Sequence, residues 1–229
     1  MSSIKQDLRG LKRQTILGAE LTHPHYISLS LIGNWLVDVA LNEAHGVMLD
    51  YGCGGQPYKN FFIPKITRYI GADVTAAEGV CLDVEIELGQ KLPIDSASID
   101  TLLSTQTLEH LPDVDFYLSE CARLLRAEGV LILTAPMQWR HHEVPYDYWR
   151  FTKYGLINLL QKHGFSIKSI NPCGGVYALM GQIFLSHLHE SGVQKKWINK
   201  IVNRFALFID DHKKDTNDTL NWMCIAIRN

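Results

Sequence analysis

The chain reads as an α/β protein: a mostly parallel sheet of seven strands with helices on both faces. Two observations predict this. Short, near-continuous apolar runs end in polar or glycine-containing turns, and they alternate with stretches of helical periodicity, the pattern of strands buried on both faces. The 229 residues, 46% of them apolar or aromatic and 20% charged, suffice for one large domain with a sizeable core.

The first ~45 residues form a helical preface, in which Leu31, Ile32, Trp35, Leu36 and Val39 share one face and Asn42 to Gly46 ends the pattern. Val47–Asp50 is the first strand and leads into Tyr51-Gly52-Cys53-Gly54-Gly55. Tyr69–Asp73 is the second, the short run Cys81–Val84 the third, Ile99–Ser104 the fourth and Val130–Ala135 the fifth. Helices are expected over Val114–Arg126 and Thr152–His163, then a sixth strand over Phe165–Ile170 and a last over Trp222–Ile227. Between those two strands, Val176–His189 is strongly apolar and Trp197–Ile209 amphipathic, a helical insertion. No repeat or linker divides the chain. A single domain is expected over 1–229, with an N-terminal extension at 1–45, a core at 46–172, the insertion at 173–219 and the last strand at 220–229.

Lys+Arg 22 against Asp+Glu 24 leaves a net charge of -2, so no overall positive excess exists to grip nucleic acid or an anionic membrane. Five scattered cysteines without a Cys-x-x-Cys pair argue against a disulfide framework and for a reducing compartment. With no apolar run near the ~18 residues that span a bilayer, a cytoplasmic protein is expected.

In open parallel sheets ligands bind beyond the carboxyl ends of strands, where the strand order switches direction. Gly52, Gly54 and Gly55 follow the first strand and permit positive φ and close backbone approach. Asp73 ends the second strand, where an acidic side chain accepts hydrogen bonds from both ribose hydroxyls of a nucleoside. Asp83, after the next short run, is placed to accept from an adenine amino group. A nicotinamide dinucleotide is the rival cofactor, but its fingerprint wants a glycine three positions after Gly54, and Pro57 stands there without an amide donor.

Taken together, Val47-Met48-Leu49-Asp50-Tyr51-Gly52-Cys53-Gly54, Ile70-Gly71-Ala72-Asp73, Leu92-Pro93-Ile94-Asp95 through Ser98-Ile99-Asp100, Leu108-Glu109-His110-Leu111 and Leu124–Val130 resemble the class I S-adenosylmethionine-dependent methyltransferases, of the type 11 kind, in order and spacing. The resemblance covers about residues 46 to 136. It implies the Rossmann-like class I methyltransferase fold and S-adenosyl-L-methionine as cofactor, with Asp50, Gly52 and Gly54 at the methionine part, Asp73 at the ribose, Asp83 and Val84 at the adenine and Gln106 at the reactive end. Ala127-Glu128-Gly129 departs from the family's usual Pro-Gly-Gly, which bears on the turn before the fifth strand. His110 is expected to shape the site floor rather than to catalyse.

The stretch Trp139 to Thr152 follows the fifth strand, over the same sheet edge, and is dense in titratable and aromatic groups. Its His142-to-Thr152 pattern resembles a bacterial subgroup associated with surface-polysaccharide or secondary-metabolite biosynthesis, implying a small-molecule or sugar-type acceptor. His142 is the expected general base, since imidazole titrates near neutrality, with Glu143 and Asp147 orienting it or serving instead. Tyr146 and Trp149 are expected to stack on an acceptor ring and Arg150 to bind an anionic part of it. Adjacent histidines in a loop point apart and no helical His-x-x-x-His pair exists, so no metal is expected. The expected activity is methyl transfer to a hydroxyl oxygen, with no nucleic-acid partner and a homodimer as an open alternative. An inactive cofactor-binding scaffold and an NAD-linked oxidoreductase are the rivals.

Overall fold

The computed structural model of the chain describes residues 20–193, 195–213 and 215–229. The first nineteen residues of the expected preface lie outside them. In chain order the elements are α1 (Tyr26–Asn42), β1 (Val47–Tyr51), α2 (Lys59–Phe62), β2 (Arg68–Asp73), β3 (Val84–Glu85), β4 (Ile99–Thr105), a 3₁₀ turn (Leu108–His110), α3 (Val114–Leu124) and β5 (Leu125–Pro136). They continue with α4 (Lys153–Lys162), β6 (Phe165–Pro172), α5 (Val176–Glu190), α6 (Lys196–Lys213) and β7 (Asn221–Arg228).

The seven strands form one sheet in the order β3-β2-β1-β4-β5-β7-β6. β1 to β5 run parallel, and β7 inserts antiparallel between β5 and β6. The order reverses between β1 and β4, and the carboxyl ends of those two strands therefore flank the crevice of an open parallel sheet.

Strand residues alternate between the two faces, as a period of two requires. Leu131, Leu133 and Ala135 of β5, with Trp222, Cys224 and Ala226 of β7, pack with Tyr117, Leu118, Leu156 and Leu160 of α3 and α4. Val130 and Ile132, with Met223 and Ile225, face the other way and pack with Ile32, Leu36, Val39 and Phe62 of α1 and α2. The predicted apolar face of α1 is the face that covers the sheet. α5 and α6 close on the start of α1: Ile27, Ala178, Leu179, Ala206 and Leu220 form a third core. Asn199 Nδ2 donates to Thr22 O at 2.8 Å, and Asn203 Nδ2 to Leu21 O and His23 O at 2.8 and 2.9 Å.

One boundary differs from the sequence reading. The helix expected to run to Arg126 stops at Leu124, because Leu125 already pairs with Ile99 as the first residue of β5. Glu128 takes φ +64° within β5, in the turn-like irregularity where the register with β4 shifts between Leu125 and Val130. A glutamate there supplies the left-handed backbone for which glycine is the usual choice, so the turn survives the departure from Pro-Gly-Gly. All five cysteines are free, and Cys81 alone among them is exposed.

Candidate active site

The cradle at the end of β1 is built from backbone. Gly52 has φ +87° and Gly54 φ +51°. A Cβ on Gly52 would come within 2.5 Å of the Thr107 side chain, so this turn accepts only glycine. The amides of Gly52 and Cys53 both donate to Ala72 O of β2 (2.8 and 3.0 Å), and the Gly54 amide donates to Asp73 Oδ2 at 2.6 Å. Asp73 Oδ1 accepts from the Val74 amide at 2.7 Å. Each Asp73 oxygen keeps a second lone pair, so the carboxylate holds the glycine loop and still has acceptor capacity for a diol.

Asp50 is 1% exposed; its Oδ2 accepts the Tyr69 hydroxyl at 2.5 Å, while Oδ1 has no hydrogen-bond partner. Burial pushes its carboxyl up to about 7, against the opposing hydrogen bond from Tyr69. An orphaned carboxylate oxygen beneath the glycine loop fits the ammonium of an amino-acid-bearing cofactor, which would supply the missing partner. Asp83 Oδ2 accepts from the Gly71 amide at 2.8 Å, so part of this side chain's capacity is spent on β2, and Val84 packs partly buried against the core beside it.

At the end of β4, Gln106 has φ +52° and is pinned to β5, its Nε2 donating to Thr134 Oγ1 at 3.0 Å. A non-glycine residue in that backbone region is a local strain found preferentially at functional sites. The buried Tyr117 hydroxyl ties the same edge together, contacting Tyr51 O at 2.9 Å and Ser104 Oγ at 2.8 Å.

The loop after β5 is fastened by one clasp. Arg150 donates from Nε to Trp139 O (3.1 Å), from Nη1 to Asp147 Oδ1 and Trp149 O (both 2.7 Å), and from Nη2 to Asp147 Oδ2 (2.9 Å) and Arg140 O (3.0 Å). Those five bonds use all five guanidinium donors. This geometry departs from the expected role: Arg150 has no donor left for an anionic acceptor and instead closes the loop. Asp147 is likewise a clasp member, held far below the usual carboxylate range by the Arg150 guanidinium and accepting the His142 amide at 3.2 Å. A carboxylate so stabilised is a poor base. The loop also grips the turn after β4: Tyr148 N donates to Glu109 O (2.8 Å), Trp149 Nε1 to Leu111 O (2.8 Å) and His110 Nδ1 to Tyr146 O (2.7 Å). Tyr146 and Trp149 remain exposed.

Where loop and turn meet, His142 and His110 stack edge to face at 4.8 Å between ring centroids. His142 Nδ1 lies 3.3 Å from Arg140 O, and burial, helped by the nearby His110, pulls its pKa below the ordinary imidazole value. A neutral His142 donating through Nδ1 presents a basic Nε2. Glu109 lies fully buried beneath the pair, with Oε1 3.9 Å from His110 Nε2 and neither carboxyl oxygen hydrogen-bonded. Burial raises its carboxyl to about 7. Glu143 Oε2 is 3.8 Å from the same His110 nitrogen, from the exposed side. Glu109 is the member the sequence reading missed: it sits in the noticed Leu-Glu-His stretch, but nothing in the sequence signals its burial. Glu109, His110 and His142 offer three ligand atoms within 4.8 Å of one another, a set that could hold a metal ion.

A glycine cradle, an acidic residue closing the second strand and a polar loop over the switch point form the arrangement expected of a nucleoside-binding site in an open α/β sheet. Comparison with known proteins sharpens the class. Residues 49–133 match the methyltransferase domain family. A probable S-adenosylmethionine-dependent methyltransferase of Mycolicibacterium smegmatis is 26% identical over 211 residues, covering 79% of this chain and 81% of that one. The ubiquinone biosynthesis O-methyltransferase of Sinorhizobium fredii is 28% identical over 97 residues, so the match spans 38% of this chain and only 39% of that relative. In fold, the chain resembles the 1,6-didemethyltoxoflavin-N1-methyltransferase of Burkholderia thailandensis, solved with its acceptor and S-adenosylhomocysteine (TM-score 0.55, 16% identity, 90% and 79% of the two chains). Residues 49–133 thus carry a methyltransferase domain, and the chain is similar along most of its length to an S-adenosylmethionine-dependent methyltransferase.

Proposed function

We propose that the chain transfers a methyl group to a hydroxyl oxygen of a small molecule or glycan precursor, with His142 as the general base. The observation that carries this reading is the placement of His142, its Nδ1 at 3.3 Å from Arg140 O and its ring stacked on His110 over the buried Glu109, in the loop that covers the switch point. S-adenosylmethionine, when bound, supplies a methyl already activated on a sulfonium.

The orphaned Asp50 Oδ1, the Gly52–Gly54 backbone and Asp73 would hold it at its amino, methionine and ribose parts, with Asp83 and Val84 at the adenine and Gln106 at the reactive end. The protein's work is to bring an acceptor oxygen to ~3–3.5 Å along the line of displacement and to take its proton. Nε2 of His142 receives that proton. Burial of His142, with His110 stacked against it, disfavours protonation of the imidazole beforehand. Arg150 and Asp147 keep the loop closed, and Tyr146 and Trp149 offer faces to an acceptor ring. The expected setting is cytoplasmic.

The test is mass spectrometry of reactions with labelled cofactor and a panel of nucleotide sugars and hydroxylated small molecules. Transfer of one labelled methyl group to the acceptor, carried on oxygen in the fragments, supports the reading. Methyl on nitrogen or carbon, or cofactor binding with no transfer to any acceptor, overturns it.

One observation favours a second reading: neither Glu109 oxygen has a hydrogen-bond partner, and the ligand atoms of Glu109, His110 and His142 cluster within 4.8 Å. Two imidazoles and a carboxylate with an open position suit a divalent cation, which would acidify a coordinated hydroxyl. Elemental analysis and chelation separate the two. Proton transfer to His142 alone leaves turnover unchanged after chelation; a resident cation predicts loss, with recovery on adding zinc or manganese.

A further inference from the structure

α6 is turned inside out. Its apolar residues Trp197, Ile201, Phe205 and Phe208, at helical spacing on one stripe, are 64, 59, 63 and 59% exposed. Its inward face is only partly apolar: beside the small Ala206 and the partly buried Leu207, Asn199 and Asn203 hold backbone carbonyls of residues 21 to 23, and Asp210 accepts from the Gly175 and Ala178 amides. A surface helix ordinarily turns its apolar stripe to the core. The neighbouring α5 adds exposed Met180, Ile183 and Phe184, and the two helices pack closely, since a Cβ on Gly181 would meet that of Ala206 at 2.5 Å. Exposed apolar surface of this extent, concentrated on two adjacent helices, marks an interaction face.

Charge on that face identifies its occupant. Lys195, Lys196, Lys200 and Arg204 are all exposed, and no Asp or Glu occurs from Ser191 to Ile209, in a chain whose net charge is -2. Basic residues flanking a Trp/Phe/Ile stripe match an anionic bilayer surface, where the rings enter the headgroup boundary and the cations meet lipid phosphates. No helix among the described residues is long and apolar enough to cross a membrane. The same face adjoins the site: Ile183 lines a cavity of 390 Å³ together with Trp139, Arg140 and His141 of the loop after β5 and Gln182 and Ser186 of α5.

We propose that the outward face of α5 and α6 is a membrane-docking surface that seats on anionic lipid in the plane of the interface, with the cavity beside Ile183 opening toward the headgroups. The overall charge balance conceals this, because it does not register that Lys195, Lys196, Lys200 and Arg204 lie together on the first half of α6 and just before it, ahead of Asp210 and Asp211.

The experiment is co-sedimentation of the full chain with vesicles of phosphatidylcholine alone and of phosphatidylcholine with one-third phosphatidylglycerol. Two variants accompany it, Trp197→Ser/Phe205→Ser and Lys196→Glu/Lys200→Glu. The proposal expects binding to the anionic vesicles, at least tenfold weaker binding to neutral ones, weakening by salt, and at least a tenfold loss in each variant. S-adenosylmethionine titration of both variants should match the parent, which keeps this test independent of the reading of the cofactor site. Absence of binding to anionic vesicles, or binding untouched by both variants, overturns it. So does a stable dimer by light scattering that Trp197→Ser/Phe205→Ser dissociates, which would assign the face to a second copy.

Discussion

The two sides of the crevice are built by different means. On the side proposed for the cofactor, strand ends and backbone shape the surface: left-handed Gly52 and Gly54, the β1–β2 amide contacts and one carboxylate, Asp73, that braces the glycine loop. On the side proposed for the acceptor, irregular chain is held by side chains, with Arg150 spending five hydrogen bonds to fix a loop that carries His142. Backbone geometry tolerates few substitutions but serves one ligand. A side-chain clasp lets the enclosed loop vary while its closure is kept, the division expected of a scaffold with one cofactor and changeable acceptors.

The comparison breaks most visibly at Gly52. Gly52→Val forces a side chain into Thr107 at a φ of +87° and should abolish cofactor binding, more than a hundredfold by calorimetry, while circular dichroism still reports a folded sheet. If the variant bound the cofactor normally, the cradle would lie elsewhere. His142→Ala acts on the other side alone. Turnover should fall about 10² to 10⁴-fold with cofactor affinity unchanged, and the acid limb of the parent's rate profile should lie below the ordinary imidazole value of 6.5 because burial lowers this pKa.

Glu109 sharpens the contrast through stability. Its folded pKa is raised from 4.5 to about 7, so its favourable contribution is complete below pH 4.5 and disappears as pH climbs through 7. Glu109→Gln should remove that dependence, gaining on the parent by about 3 kcal/mol between pH 4 and pH 8 in denaturant melts of the cofactor-free protein. Equal pH profiles for the two proteins would place the charge in contact with solvent. The smallest effect is expected at Arg150→Lys. One ammonium cannot replace a five-donor fork, so the acceptor KM should rise about tenfold while cofactor affinity holds. Loss of both together would mean that the two sides are not separable.

What the sequence disclosed follows the same division. Strand ends announce themselves through glycine and acidic residues after apolar runs, so β1, β2 and the glycine turn between them, which Asp73 braces, were legible from Val47 to Asp73. The clasp was not. Asp147 and Arg150 were noticed as functional types, but their mutual geometry depends on a loop path that no periodicity encodes. Glu109 was hidden because burial of one carboxylate in a 3₁₀ turn leaves no pattern. For α6, periodicity revealed an amphipathic helix over Trp197–Ile209, yet amphipathicity does not say which face points inward. Polar anchors at Asn199 and Asn203 decided that, against the usual rule.

Calorimetric titration of the purified chain with S-adenosylmethionine, run at pH 7 in buffers of differing ionisation enthalpy, tests the cofactor seat most directly. Docking of the ligand's ammonium against Asp50, whose carboxyl is raised to about 7 by burial, should give one-to-one binding with release of a fraction of a proton. An absence of binding, for this compound and for S-adenosylhomocysteine alike, would contradict the account.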